Sequence, residues 1–94
     1  MIRLNAFFVL KDDVAPETVV TLARELVEKS RNDKGCVAYD LFQSATNPSV
    51  MMFCETWADD QSLKTHTESA HFTELVPKIE AMTKSGLKLE RFEF

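Results

Sequence analysis

Glycine occurs only twice in the 94 residues, as Gly35 and Gly86. A glycine-rich loop that wraps a phosphate group is therefore absent, and with it most nucleotide-dependent enzymes. No G-x-S-x-G elbow, H-E-x-x-H pair or EF-hand loop occurs, which sets aside common serine hydrolases, zinc proteases and calcium-loop proteins. Cysteine is equally sparse: Cys36 and Cys54 form neither a C-x-x-C unit nor a zinc spacing, and both are expected as reduced packing residues. No apolar run approaches the roughly 18 residues of a membrane span. The start, Met1-Ile2-Arg3-Leu4-Asn5, has no basic stretch leading into an uninterrupted apolar one, so a cytoplasmic location is expected. Lys and Arg number 11 against 15 Asp and Glu, a net −4, and the cations form no run. Nucleic-acid binding needs clustered cations and is not expected. Only three prolines and an apolar share of 45% argue against a disordered chain.

What the chain does have is clear periodicity, in a length that fits one domain over residues 1–94. Residues 2–10 alternate, with Ile2, Leu4, Ala6, Phe8 and Leu10 on one face and Arg3 and Asn5 on the other. That is a strand with one buried face, and Phe7 and Val9 make its far end apolar on both. Pro16 suits the first turn of a helix that Asp13 or a neighbour caps. Val19, Leu22, Ala23, Leu26 and Val27 form its apolar stripe, and Asn32-Asp33-Lys34-Gly35 ends it. Residues 36–45 and 49–57 read as a hairpin around Thr46-Asn47-Pro48. Its pairs should sum to about 94–95, which sets Cys54 opposite residue 40 or 41, beyond disulfide reach of Cys36.

Asp59 suits the N-cap of a short helix over residues 60–67, with Leu63 facing inward. Ser69 suits the cap of another, with the stripe Phe72, Leu75, Val76, Ile79 and Met82. Pro77 lies inside that stripe and is expected to kink or split the helix, and Ser85-Gly86 to stop it. Residues 87–94 alternate again as a fourth strand. The order β-α-β-β-α-β is the ferredoxin-like α+β arrangement, a four-stranded antiparallel sheet with helices on one face. The other face is partly apolar and no element remains to cover it, so a second copy of the chain is expected there.

Few residues are candidates for chemistry. His66 and His71 are five apart, a spacing unsuited to two metal ligands on one helix face, and no metal site is expected. They straddle the break between two helices and either cap helix ends or converge on one cavity; His66 follows Leu63 by three and points inward with it. A neutral imidazole there serves as base, acid or hydrogen-bond donor. Trp57 shares a strand face with Glu55 and Phe53 and either plugs the core or forms a flat wall for an aromatic ligand, its indole N–H a donor. Asn5 is a ligand donor or a solvated amide, and Tyr39 a cavity phenol or a packing residue. Asp40 and Glu55, on neighbouring strands, are a conceivable carboxylate pair. Arg91 reads as an ion-pair partner at the surface or an interface.

The motifs G-C-x-x-Y-x-L over residues 35–41, E-x-W-x-D over 55–59 and L-x-x-H-x-x-S-x-H-F over 63–72 stand in fixed order. Together they resemble the antibiotic biosynthesis monooxygenase domain family. The resemblance implies a dimeric α+β barrel, in which two ferredoxin-like sheets pack against each other. It implies a pocket between sheet and helices that takes Asn5, Tyr39, Trp57, His66 and His71, with Glu55 and Phe72 on its walls. The family includes monooxygenases that oxidise quinols with O2 and need neither metal nor flavin, heme-degrading enzymes, and an isomerase of a phosphorylated sugar derivative. The heme branch needs a Trp on the short helix and a His about ten residues on. Those positions hold His66 and Val76 here, which leaves no axial ligand. The expected activity is thus a cofactor-independent homodimeric monooxygenase of a small aromatic quinol, with His66, Trp57 and Asn5 catalytic. The alternatives are an isomerase of a small phosphorylated carbonyl compound and a dimer that binds a small molecule without turnover.

Overall fold

The computed structural model describes residues 1–94. Its elements are β1 (Ile2–Val9), α1 (Pro16–Ser30), β2 (Cys36–Gln43), β3 (Val50–Trp57), α2 (Asp60–Thr67), α3 (Ala70–Glu80) and β4 (Lys88–Glu93). The strands form one antiparallel sheet in the order β2-β3-β1-β4. This is the ferredoxin-like α+β fold that the element order predicts.

The β1 alternation holds: Ile2, Ala6, Phe8 and Leu10 are buried beneath the helices. Against them pack Val19, Ala23, Leu26 and Val27 of α1 and Leu75, Val76 and Ile79 of α3. The opposite sheet face carries no element of this chain. On it Phe7 pairs across to Met52, which pairs on to Phe42, while Arg3 pairs with Phe92. Phe7, Val9, Phe42 and Phe92 are between 39% and 52% exposed.

Helix ends follow local chemistry, with some differences from the sequence expectations. Asp59 and Ser69 cap α2 and α3 by accepting from Ser62 N and Phe72 N, each worth about 1 kcal/mol. The α1 cap is Ala15 rather than Asp13, with no side-chain bond; Pro16 at the first helical position needs no partner for a missing N–H. Pro77 does not split α3, which continues to Glu80. A proline forfeits one bond, to Thr73 O, and the burial of Leu75, Val76 and Ile79 on either side holds the helix together. The helix ends at Glu80, well before Gly86.

The hairpin pairs Asp40 with Cys54, as its predicted sum requires. Both cysteines are free. A register shift lies between Cys36 and Ala38, so Cys36 faces Trp57, Ala38 faces Thr56, and Val37 is an extra residue that is 58% exposed. Val37 therefore does not share the buried face of Tyr39, contrary to simple alternation.

Candidate active site

Three separate elements meet at one carboxylate. Asp33 lies in the turn after α1, His66 near the end of α2 and His71 at the start of α3. Asp33 Oδ2 accepts from His66 Nδ1 and from His71 Nε2, each at 2.8 Å. For both nitrogens to donate, His66 is the Nδ1–H tautomer and His71 the Nε2–H tautomer, an assignment from the hydrogen-bond network. His66 Nε2 is then a bare lone pair, buried and without a partner. The helix break makes this convergence possible: Ser69 Oγ donates to His66 O and accepts from Phe72 N, locking the corner between α2 and α3. The five-residue spacing that argued against two ligands on one helix face applies to one continuous helix, and here there are two.

The Asp33 turn is set against α2 by Gly35. Its φ is +82°, and a Cβ there would fall 2.0 Å from Ser62 Oγ. Only glycine permits both the conformation and the approach.

His66 is 1% exposed and is caged by rings, with centroids of Trp57 at 4.5 Å, Phe72 at 5.2 Å and Tyr39 at 5.5 Å. Burial holds its pKa below the ordinary imidazole value, and the Asp33 hydrogen bond and charge only partly offset that. A second carboxylate lies near by. Glu55 is buried, accepts from Trp57 Nε1 at 2.8 Å, and pairs across the strands with Tyr39. Burial pushes the Glu55 carboxyl upward, and the donors Trp57 and Tyr39 only partly resist it. Tyr39 is pushed far above the ordinary phenol value, first by burial and then by the Glu55 charge.

Both centres border a cavity of about 230 Å³ between sheet and helices. Leu4, Ala6, Tyr39, Glu55, His66 and Phe72 are among its walls, and ten of its 14 lining residues are hydrophobic. No Lys or Arg is among them; the acidic groups are Glu55 and Glu80. A larger hollow of about 370 Å³ between α1 and β2 contains, of the candidate residues, Asp40 alone.

The chain matches the family model described as antibiotic biosynthesis monooxygenase over residues 1–78. It belongs to that family. The Bacillus subtilis (strain 168) protein YcnE, provisionally named a monooxygenase, is 32% identical over 93 residues, covering 99% of this chain and 97% of that one. Among solved structures, a conserved protein of Bacteroides thetaiotaomicron is 40% identical with a TM-score of 0.90, over 99% of this chain and 96% of that chain. A protein described as an antibiotic biosynthesis monooxygenase is 36% identical with a TM-score of 0.92, over 100% of this chain and 98% of that chain.

Within this family member, Tyr39, Glu55, His66 and Phe72 reach the cavity together. Trp57 does not form its wall: it is fully buried behind His66, and its indole N–H is committed to Glu55. His71 is not among the cavity walls and bonds Asp33 instead. Asn5 is not brought to the site. It pairs with Cys54 and Glu90 on the open sheet face, its amide 3.5 Å from Glu90 Oε1, while Leu4 and Ala6 take the cavity positions. Asp40 and Glu55 do not pair either: Asp40 is exposed and bonds Arg31 at 3.6 Å. Arg91 is an ion-pair partner as expected, bonding Asp60 and Glu93.

Sequence reasoning missed Asp33, which it read only as a helix stop. The signal was the hairpin register. Setting residue 36 opposite residue 57 brings the turn before β2 beside the chain leaving β3, from which α2 starts.

Proposed function

We propose that this protein is a monooxygenase of a small, uncharged aromatic quinol, using O2 and no redox cofactor, and that it works as a homodimer. The carrying observation is the unpartnered, buried Nε2 of His66, a residue that lines an apolar cavity, with Nδ1 held by Asp33. In this reading Nε2 takes the proton of a ring hydroxyl, and Asp33 stabilises the imidazolium that results. The electron-rich ring anion passes an electron to O2, and the radical pair joins as a carbon–oxygen bond. His66 returns its proton to the peroxide, which loses water and leaves a carbonyl on the ring. One oxygen atom enters the product and one leaves as water, so the substrate is its own reductant. Glu55, held toward its protonated form by burial, donates to the developing peroxide.

A cavity of about 230 Å³ suits one or two rings, being smaller than the ~300–1,000 Å³ of drug-sized sites. The absence of Lys and Arg from its lining supports an uncharged substrate over a phosphorylated one, whose charge would lack a partner. The exposed Phe7, Val9, Phe42 and Phe92 support a second copy on the open face. O2 uptake with a panel of monocyclic and bicyclic quinols tests the activity. Uptake that falls about 100-fold or more in His66→Ala is expected. Tight quinol binding with no uptake would replace this reading with the binding-only alternative. A monomer mass by light scattering would remove the dimer.

A further inference from the structure

We infer that Asp33, His66 and His71 form a binding site for a divalent first-row transition-metal ion, and that occupancy switches the tautomer of His66. One donor atom from each residue lies within 4.8 Å of the others. Asp33 Oδ2 is already 2.8 Å from His66 Nδ1 and 2.8 Å from His71 Nε2. Bonds of about 2.1 Å set neighbouring ligands roughly 3.0 Å apart in an octahedron and roughly 3.4 Å apart in a tetrahedron. Each nitrogen therefore moves away from the carboxylate by only a few tenths of an ångström, and the two nitrogens, within 4.8 Å of each other, settle at roughly 3.0–3.4 Å as neighbours or roughly 4.2 Å across the ion.

Two imidazoles and one carboxylate suit Zn²⁺, Ni²⁺, Co²⁺ or Fe²⁺, and do not suit Mg²⁺, which takes oxygen ligands. Access is graded across the set. The His66 side chain is 1% exposed, that of His71 14% and that of Asp33 20%, so an ion enters from the Asp33 side and solvent completes its coordination. The donors come from three elements, and the ion would tie the α1–β2 turn to both short helices.

The protons balance without net release. Without the ion, the ring protons are on His66 Nδ1 and His71 Nε2, where they bond Asp33. An ion on those two nitrogens moves each proton to the other nitrogen of its own ring. His66 Nε2, buried and unpartnered without the ion, changes from a lone pair into an N–H donor. That consequence rests on the proposed role of Nε2 as base: the ion would block proton uptake from a quinol.

The test is a Zn²⁺ titration of chelator-stripped protein by calorimetry, followed by long-range ¹H–¹⁵N NMR of the two histidines. One Zn²⁺ per chain in the micromolar range is expected, with no heat from Mg²⁺. Asp33→Asn and His71→Ala, each confirmed as folded by its thermal midpoint, should weaken binding by about tenfold or more. On Zn²⁺ addition the His66 proton should move from Nδ1 to Nε2. Absence of binding at millimolar Zn²⁺ overturns the site, and so does affinity unchanged in both variants. Cobalt-to-thiolate absorption bands on Co²⁺ addition would place the ion on Cys36 or Cys54 and also overturn it. A bound ion with His66 still protonated at Nδ1 overturns the switch. None of these readouts uses turnover, so a protein that oxidises no quinol but passes them keeps its metal site and loses only its proposed activity.

Discussion

Two carboxylates border the same imidazole region and do opposite things. Asp33 is in a loop at the protein surface, and its Oδ2 receives two histidine N–H groups at 2.8 Å. Glu55 is in the middle of the sheet, 6% exposed, with one indole N–H at 2.8 Å. Two charge-assisted hydrogen bonds and partial hydration suit Asp33 to act as a fixed anion. For Glu55 burial outweighs the donors Trp57 and Tyr39 and pushes its carboxyl toward the neutral acid. The lesson is that position in the fold, rather than residue type, separates them: one carboxylate holds two histidine N–H groups, and burial pushes the other toward its neutral form.

The comparison can be broken at its shared ring. His66→Ala should lower quinol-dependent O2 uptake by about 10²–10⁴-fold, the usual contribution of a positioned base. Uptake within a few-fold of the parent would remove His66 from the chemistry. Asp33→Asn keeps the shape and deletes the charge. Losing a hydrogen bond to a charged group costs about 1.5–3 kcal/mol, so kcat should fall about 10–100-fold with KM little changed. An unchanged kcat would mean that the loop carboxylate does not support the base.

The separation of the two centres can also be tested through the backbone. Gly35→Ala places a Cβ against Ser62 and strains a positive φ, which costs about 1–2 kcal/mol before any repacking. Urea denaturation should show at least that loss, and an unchanged midpoint would mean that the turn relaxes freely. Glu55→Gln keeps an acceptor for Trp57 and removes the titration. Because the Glu55 pKa is raised on folding, its protonated form is favoured in the folded state. That stabilisation is complete below the ordinary carboxyl range and is lost as pH rises through the raised value. The Gln variant should therefore equal or exceed the parent in stability at neutral pH, and the gap should close toward pH ~4. Tyr39 also faces Glu55, and its pKa lies above this window, so it does not blur the reading. Parallel stability curves for the two proteins would sink the claim that burial controls Glu55.

Much of the scaffold was legible because its signals are local. Period-two runs mark β1 and β4, and capping residues Asp59 and Ser69 mark where α2 and α3 begin. The inward turn of His66 follows from Leu63 one helical step earlier. Long-range geometry was less legible. Asp33 joins two histidines 33 and 38 positions away, and no periodicity encodes that distance. Asn5 is a different lesson. Alternation with Ile2, Leu4 and Ala6 already puts it on the uncovered face, and only family resemblance carried it to the cavity. Where the two sources disagreed, the pleat of the strand was the better guide. Trp57 shared the expected face, but its donor was spent on Glu55, a bond that strand parity alone does not reveal.

The extra residue in β2 has a consequence for how this chain tolerates length changes. Cys36 and Tyr39 both face the helices although an odd number of steps separates them, because Val37 is unpaired in the ladder. Val37 works as a parity bit. Remove it and the remaining strand would alternate without interruption: Cys36, Tyr39 and Leu41 would stay opposite Trp57, Glu55 and Phe53, facing the helices, with Ala38 and Asp40 on the open face. Deletion of that one exposed valine is thus a length change the strand can absorb with its cavity wall intact, and the cost falls on the local twist that the extra residue supplies.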